Sequence, residues 1–201
     1  MLRYFKYTIL GFAFIFILAV NITTRGEQQF VYLANTLLHG RLDLIDLPST
    51  ADFAFFANRY YWPLGPFPAI ILIPFVTFLK LQMLQGYLQF ALTIINFLLV
   101  LNISQKLGLK SKQSWLISLF FIFGSIYTPL AAIAFSWYYA QIVATTLLLL
   151  AIFEFLTKKR YLLIGLALGC AILTRASLIT SIIFFLYFLF FDHFINVFAF
   201  F

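Results

Sequence analysis

The sequence predicts an all-α fold: a polytopic helical membrane protein with about six transmembrane spans and with amphipathic and re-entrant helices in its first outer loop. Three observations lead there. Hydrophobic residues make up 64% of the chain and charged residues 9%, against about 25% charge in a typical soluble domain. Mean hydropathy is +1.04, and several apolar runs approach the ~20 residues that a bilayer span requires. The Lys and Arg residues gather in short clusters beside those runs, where they set membrane topology. The alternating pattern of a membrane β-barrel is missing from the sequence.

The same features narrow the function classes. A net charge of +7 does not point to nucleic acid, because the cations flank apolar runs instead of forming one basic patch. Cys170 is the single cysteine, so neither a disulfide framework nor a Cys-based metal site is expected. His39 and His193 match no ligand spacing. No cofactor is expected, and a divalent metal has no support in the residue pattern.

The elements follow in order. Leu2 to Arg25 starts basic, with Arg3 and Lys6, and continues through an apolar core from Tyr7 to Ile22. That core exceeds the about 7 to 15 residues of a signal peptide and lacks a small-x-small cleavage site. It reads as an uncleaved first helix with its N-terminus in the cytoplasm. Glu27 to His39 reads as an amphipathic helix, with Phe30, Leu33, Ala34, Leu37 and Leu38 at helical spacing and Gly40 as terminator. At ~20 Å it is too short to span, so it is expected along the membrane surface.

Pro66 to Leu81 would be ~24 Å long as a helix, against a hydrocarbon core of ~30 Å, and it carries Pro66, Pro68 and Pro74. If it crossed, Lys106, Lys110, Lys112, Lys158, Lys159 and Arg160 would all fall outside. If it dips and returns, they fall inside with Arg3 and Lys6, as the positive-inside rule prefers. Gly86–Ile103 then runs inward, Ser104–Ser114 is a cytoplasmic loop, and Trp115–Ala134 runs outward as one span. Phe135–Tyr138 is an outer turn, Tyr139–Leu156 runs inward, and Thr157–Arg160 is cytoplasmic. Tyr161 to about Leu173 runs outward; Thr174–Ser177 breaks the run, and Leu178–Phe191 turns back. Residues 1–201 form a single domain, and 24–85 its first extracytoplasmic loop. Short spans with a polar break suggest a site between helices.

Four of the six acids, Glu27, Asp43, Asp46 and Asp52, lie in that loop; Glu154 and Asp192 lie elsewhere. In so apolar a chain, an acid-bearing loop between membrane helices is where chemistry is expected.

The order of motifs carries a resemblance. The pieces are Glu27 with Phe30, Ala34-Asn35-Thr36-Leu37-Leu38-His39-Gly40, Tyr60-Tyr61-Trp62-Pro63-Leu64-Gly65-Pro66, Ser136-Trp137-Tyr138-Tyr139-Ala140-Gln141, and Gly165 to Arg175. Together they resemble the N-terminal half of the GT-C glycosyltransferases, a superfamily that includes dolichyl-phosphate-mannose protein mannosyltransferases and lipid A aminoarabinose transferases. The resemblance implies a multi-pass plasma-membrane enzyme that moves a sugar from a polyprenyl-phosphate donor to an extracytoplasmic lipid, glycan or protein acceptor. It implies an active site in the first outer loop, with an early acid as general base. Two departures matter. Gln141 stands where the family often has a second acid, which argues against a metal-dependent mechanism. The family's chains are also typically at least twice as long, so this one is expected to correspond to their N-terminal half.

Each candidate has a plainer alternative. Glu27 is the candidate base, needing reach to a hydroxyl proton; Thr24-Arg25-Gly26-Glu27 is equally a capping box with Thr24 as N-cap. Asp43, Asp46 and Asp52 are second-acid or acceptor-binding candidates, or solvated loop carboxylates. Arg59 and Arg175 suit bidentate phosphate binding, and Arg175 interrupts an apolar run, where burial without a partner is costly. Tyr60, Tyr61, Trp62, Trp137, Tyr138 and Tyr139 could stack on sugar, or sit at the membrane interface as aromatics do. His39 reads as helix-end polar surface. Glu154 is spaced to pair with Lys158 on one helix face. Membrane lipids are expected partners; nucleic acid is not. No phosphate-cradling Gly-rich loop is present, and a polyprenyl-phosphate donor needs none. Two other functions use the same features: a lipid-linked-sugar transporter or flippase, which needs no base, and a non-catalytic membrane subunit.

Overall fold

The computed structural model describes residues 2–24, 27–45 and 52–188. Asp46, Asp192 and His193 lie outside the described residues, as do Arg25 and Gly26 of the expected capping box. The architecture is all-α with one small hairpin. The helices are α1 (Leu2–Thr23), α2 (Gln29–Leu38), α3 (Phe67–Ile70), α4 (Ile73–Leu79), α5 (Gln85–Lys106), α6 (Ser111–Phe123), α7 (Tyr127–Ala132), α8 (Ser136–Leu156) and α9 (Tyr161–Ile172). A 3-10 turn at Ala176–Thr180 leads into helical turns that reach Phe188. Strands β1 (Ala54–Phe56) and β2 (Arg59–Tyr61) pair antiparallel, Phe55 opposite Tyr60.

Among the described residues, α5 and α8 are long and apolar enough to cross a membrane; Leu10–Thr23, Ile73–Gln82, Tyr161–Ile172 and Ala176–Phe188 are apolar but shorter. Large apolar side chains such as Phe12, Phe16, Leu98 and Leu166 face outward from the bundle.

Side-chain contacts fix the helix directions. A Cβ added to Gly86 would lie 3.0 Å from Asn21 Oδ1, and the Phe14 ring packs edge-on to Phe90 and Phe97 at 6.3 and 5.9 Å. So α1 and α5 run antiparallel. Gln85 and Ser136, the first residues of α5 and α8, are hydrogen-bonded at 3.1 Å, so those two run parallel. Ala151 of α8 clusters with Ile164 and Leu168 of α9 and with Phe185 beyond it. Thus α9 returns antiparallel to α8, and the chain after the Thr174–Arg175 break folds back down, as expected from the sequence.

One end of the bundle therefore gathers the last turns of α1, α7 and α9 and the first turns of α5 and α8. We call this the loop end. Lys106, Lys110, Lys112, Lys158, Lys159 and Arg160 occupy the helix junctions at the opposite end, toward which the first turns of α1 also point. The Pro-rich segment begins and finishes at the loop end: Phe67 N–H donates to Leu173 O at 3.3 Å, and the Gln85 N–H donates to Gln28 Oε1 at 2.9 Å. Both of its ends therefore lie at the same end of the bundle. Pro68 and Pro74 stand in the first turns of α3 and α4, where a missing N–H costs no helical hydrogen bond.

Two expectations are corrected. Trp115–Ala134 is not one helix: α6 and α7 are separated at Gly124–Ile126. Hydroxyls take over from the interrupted ladder. Ser125 donates to Phe121 O at 2.6 Å and accepts from the Tyr127 N–H at 3.1 Å, and Thr128 donates to Ile122 O at 2.7 Å. Second, α2 is not laid against the outside of the protein: Phe30, Leu33 and Ala34 of its predicted apolar face are buried, as are Gln29, Val31 and Thr36, while Leu37 is half-buried and Leu38 exposed. It forms the centre of the main core with Trp62, Leu72, Val76 and Tyr139. Partners exist on its polar side too: Ser136 Oγ accepts from the Gln29 N–H at 2.9 Å, and Thr36 Oγ1 from the Ile45 N–H at 3.4 Å.

Candidate functional site

The site region lies at the loop end, where a short polar knot replaces apolar packing. Gln85 and Ser136 are both fully buried. Gln85 Nε2 donates to Glu27 O at 2.7 Å and to Ala134 O at 2.8 Å, and Ser136 Oγ lies 3.2 Å from the same Glu27 carbonyl. Deeper in, Gln89 donates to Leu130 O and Ile133 O at 2.7 and 2.9 Å, and Asn21 to Ala131 O at 2.6 Å. These amides satisfy carbonyls at and just after the end of α7, which have no partner within the helix. The knot thus caps α7 and at the same time clamps the backbone of residues 27–29.

Glu27 follows from this clamp. It lies between α1 and α2 with a half-buried side chain, and among the described residues its carboxylate has no hydrogen-bond or ion-pair partner. The capping box is not formed. Gln28, not Thr24, is the residue that caps α2, and it makes no side-chain cap bond. The Thr24 hydroxyl donates back to Val20 O at 2.8 Å and accepts from the Ala134 N–H at 3.1 Å. Thr24 ends α1 instead of starting α2.

The carboxylates and cations sort differently from the expected pattern. Asp43 is buried and bridges Arg41 (Nε to Oδ1 3.2 Å, with a second contact between Nη2 and Oδ2) and Arg59 (Nη1 to Oδ1 3.5 Å). The Arg41 hydrogen bond holds the Asp43 carboxyl below the usual range against the opposing effect of burial. Arg59 is therefore tied to Asp43, although most of its side chain stays exposed. Asp52 is exposed with φ 63°, a left-handed conformation that Asp tolerates better than most residues.

The aromatic candidates also divide. Trp62 is buried edge-on to Phe30, Phe53 and Trp137, with centroids 5.5 to 5.7 Å apart. Tyr139 is fully buried, and its hydroxyl donates to Pro68 O at 3.3 Å. Both are corrected to packing residues: they fasten the re-entrant segment and the hairpin onto α8. Tyr138 stacks on Phe135. Tyr60 and Tyr61 remain half-buried on β2. His39, exposed, bonds Asn35 O at 2.8 Å, as a helix-end residue.

Arg175 is half-buried at the break after α9 and has no acidic partner among the described residues. Its neighbour Thr174 is buried and donates to Cys170 O at 2.9 Å. The antiparallel register of α8 and α9 puts Arg175 at the level of Gln141, which is half-buried near the start of α8. At the opposite end of the bundle, Glu154 grips Arg160 with both oxygens at 2.7 Å. The expected Lys158 pair is corrected, because the turn between α8 and α9 folds Arg160 back over the carboxylate. Among the described residues, no three of His, Cys, Asp and Glu gather to hold a metal.

The residues that sequence reasoning missed are Gln85, Gln89, Asn21 and Ser136. A signal was present: Gln85, Gln89, Thr93 and Asn96 recur at helical spacing on one face of an otherwise apolar α5, and all four are fully buried. The chain matches no protein-family model, no curated protein and no solved structure.

Proposed function

We propose that this chain is a multi-pass membrane glycosyltransferase, or the N-terminal half of one, that uses a polyprenyl-phosphate-linked sugar. The reading places the N-terminus and the basic helix junctions in the cytoplasm and the loop end outside. α1, α6 with α7, α9 and the 176–188 segment complete the membrane domain around α5 and α8. The observation that carries it is Glu27: an acid without a described partner, on a backbone clamped by two fully buried residues, at the same end as Arg175. A general base needs a fixed position and a free carboxylate, and a leaving phosphate needs a cation.

In this reading Glu27 takes the proton from the acceptor hydroxyl. The acceptor oxygen attacks the anomeric carbon, the bond from that carbon to the phosphate oxygen breaks, and polyprenyl phosphate leaves against Arg175. Gln141 and the half-buried Tyr60 and Tyr61 contact the sugar, and Asp52 the acceptor. The lipid tail lies along the re-entrant α3–α4 segment, whose Phe75 and Phe78 are exposed. Transfer from such a donor requires no bound nucleotide.

The test uses the purified protein in vesicles with labelled polyprenyl-phosphate sugars and extracytoplasmic acceptors. Transfer by the native chain, lost in Glu27→Gln at unchanged thermal stability, supports the reading. Transfer that survives Glu27→Gln removes the base. Movement of the lipid-linked sugar across the bilayer without transfer, intact in Glu27→Gln, assigns a flippase instead. Neither activity assigns a non-catalytic subunit.

A further inference from the structure

The β1–β2 hairpin has no task in the reading above beyond carrying Arg59 and the Tyr60–Tyr61 edge. Its geometry is specific. The two-residue turn, Ala57 and Asn58, has φ 48° and 59°, the doubly left-handed form that matches strand twist and closes a hairpin tightly. The base is anchored, because Phe53 and Trp62 pack on one another inside the main core. One flank is covered: Leu44 N–H donates to Tyr60 O at 2.8 Å. The other strand, β1, is an edge with no neighbour among the described residues.

That free edge is apolar: Phe55 is 60% exposed and Phe56 74%. Leu42, 67% exposed, lies in the segment that covers the β2 flank. Single exposed apolar residues are ordinary, but two large aromatics side by side on one short hairpin mark an interaction surface. Cations stand on the β2 flank. Arg41 and Arg59 share one buried carboxylate, Asp43, and expose about half or more of their side chains, while the exposed Asp52 stands just before β1. Large aromatics beside such cations are the chemistry of an anionic-phosphate lipid surface. The unpaired β1 edge fixes the depth. Its N–H and C=O groups cannot lie in hydrocarbon, but lipid headgroups and water satisfy them at the interface.

We propose that the β1–β2 hairpin is an interfacial membrane anchor. Phe55 and Phe56 seat at the boundary between headgroups and acyl chains, and Arg41 and Arg59 lie beneath lipid phosphates. The partner is the phospholipid surface at the loop end of the protein's own membrane. The inference rests on the membrane reading but not on glycosyl transfer.

The test exploits the single cysteine. Cys170→Ala removes it, and Phe56→Cys, Leu98→Cys or Lys110→Cys each carries one nitroxide in vesicles of zwitterionic and anionic phospholipid. Collision rates with oxygen, which concentrates in lipid, are compared with those of a water-soluble nickel complex. Phe55→Cys serves as a second hairpin position should Phe56→Cys fail to fold. The anchor is expected to give several-fold oxygen preference at position 56, of the same sign as Leu98 on α5 and opposite to Lys110 in the loop before α6. Nickel preference at 56 with oxygen preference at 98 overturns the anchor and leaves the membrane reading standing. Nickel preference at both overturns both. Low accessibility to both probes at 56 assigns the patch to a protein partner and also overturns it.

Discussion

Gly65 lies so close to the backbone of Leu173 that a Cβ at Gly65 would fall 1.9 Å from the Leu173 carbonyl oxygen. This contact joins the start of the re-entrant segment to the end of α9, one residue before Thr174 and two before Arg175. The obstacle is backbone, not the flexible end of a side chain, so it cannot rotate aside. Gly65→Ala should therefore destabilise the fold by about 1 to 3 kcal/mol, as overpacking does. A lower thermal midpoint in detergent checks it. Gly165→Ala is the control, since nothing lies within 4 Å of a Cβ there; no loss at Gly65 would mean the two segments do not pack as described.

The Gln85 knot makes a second prediction. Gln85→Leu keeps the volume but removes the donors to Glu27 O and Ala134 O. Ala134 O keeps only a long contact from Gln28 Nε2 at 3.5 Å, Glu27 O is part-buried, and a buried acceptor stripped of its partner costs about 1 to 3 kcal/mol. The expected loss of stability is about 2 to 4 kcal/mol, discounted for partial rescue of Glu27 O by Ser136. Gln82→Leu, exposed and outside the knot, should stay within about 0.5 kcal/mol of native. Denaturant unfolding in detergent separates the two; equal small effects would show that the knot contributes nothing.

These two sites show where the sequence was readable and where it was not. The long apolar runs announced α1, α5, α8 and α9, because length and hydropathy are local properties. The break at Thr174–Arg175 was legible for the same reason. Tertiary partners were not legible. The Thr24–Glu27 pattern matches a capping box, but Thr24 is claimed by Ala134, 110 positions away. Gly124 and Ser125 sit inside an apolar run, and composition cannot tell a broken helix from a continuous one. Arg59 read as a loop cation until the hairpin brought it to Asp43.

The Asp43 cluster gives the loop a pH dependence. The Arg41 hydrogen bond lowers the folded-state pKa of Asp43. A group whose folded value is depressed adds stability that is complete above its unfolded value, near about 3.9, and disappears as pH falls through the folded value. The loop should therefore loosen only below about pH 4. Hydrogen exchange at the Leu44 amide, which bonds Tyr60 O, should accelerate there beyond the intrinsic trend. In Asp43→Asn the exchange should be faster at neutral pH and show no such step. A native step well above pH 5 would assign the transition to another group.

Arg175 carries the last prediction. In the proposed reading, a guanidinium half-buried after an apolar helix, with no described carboxylate beside it, receives the anion that arrives with the substrate. A hydrogen bond to a charged group contributes about 1.5 to 3 kcal/mol. Arg175→Gln should therefore weaken donor binding by roughly 10- to 100-fold. The effect should fall on the KM for the polyprenyl-phosphate sugar, with a further loss in kcat if the cation meets more charge on the leaving phosphate than on the bound donor. Arg175→Lys keeps the charge but not the two-pronged geometry, so partial recovery is expected. A merely structural role predicts another pattern: lower thermal stability in both variants, with donor affinity unchanged in the fraction that stays folded. Donor titrations on folded, vesicle-reconstituted protein separate these cases. Native affinity in Arg175→Gln would remove Arg175 from the phosphate site.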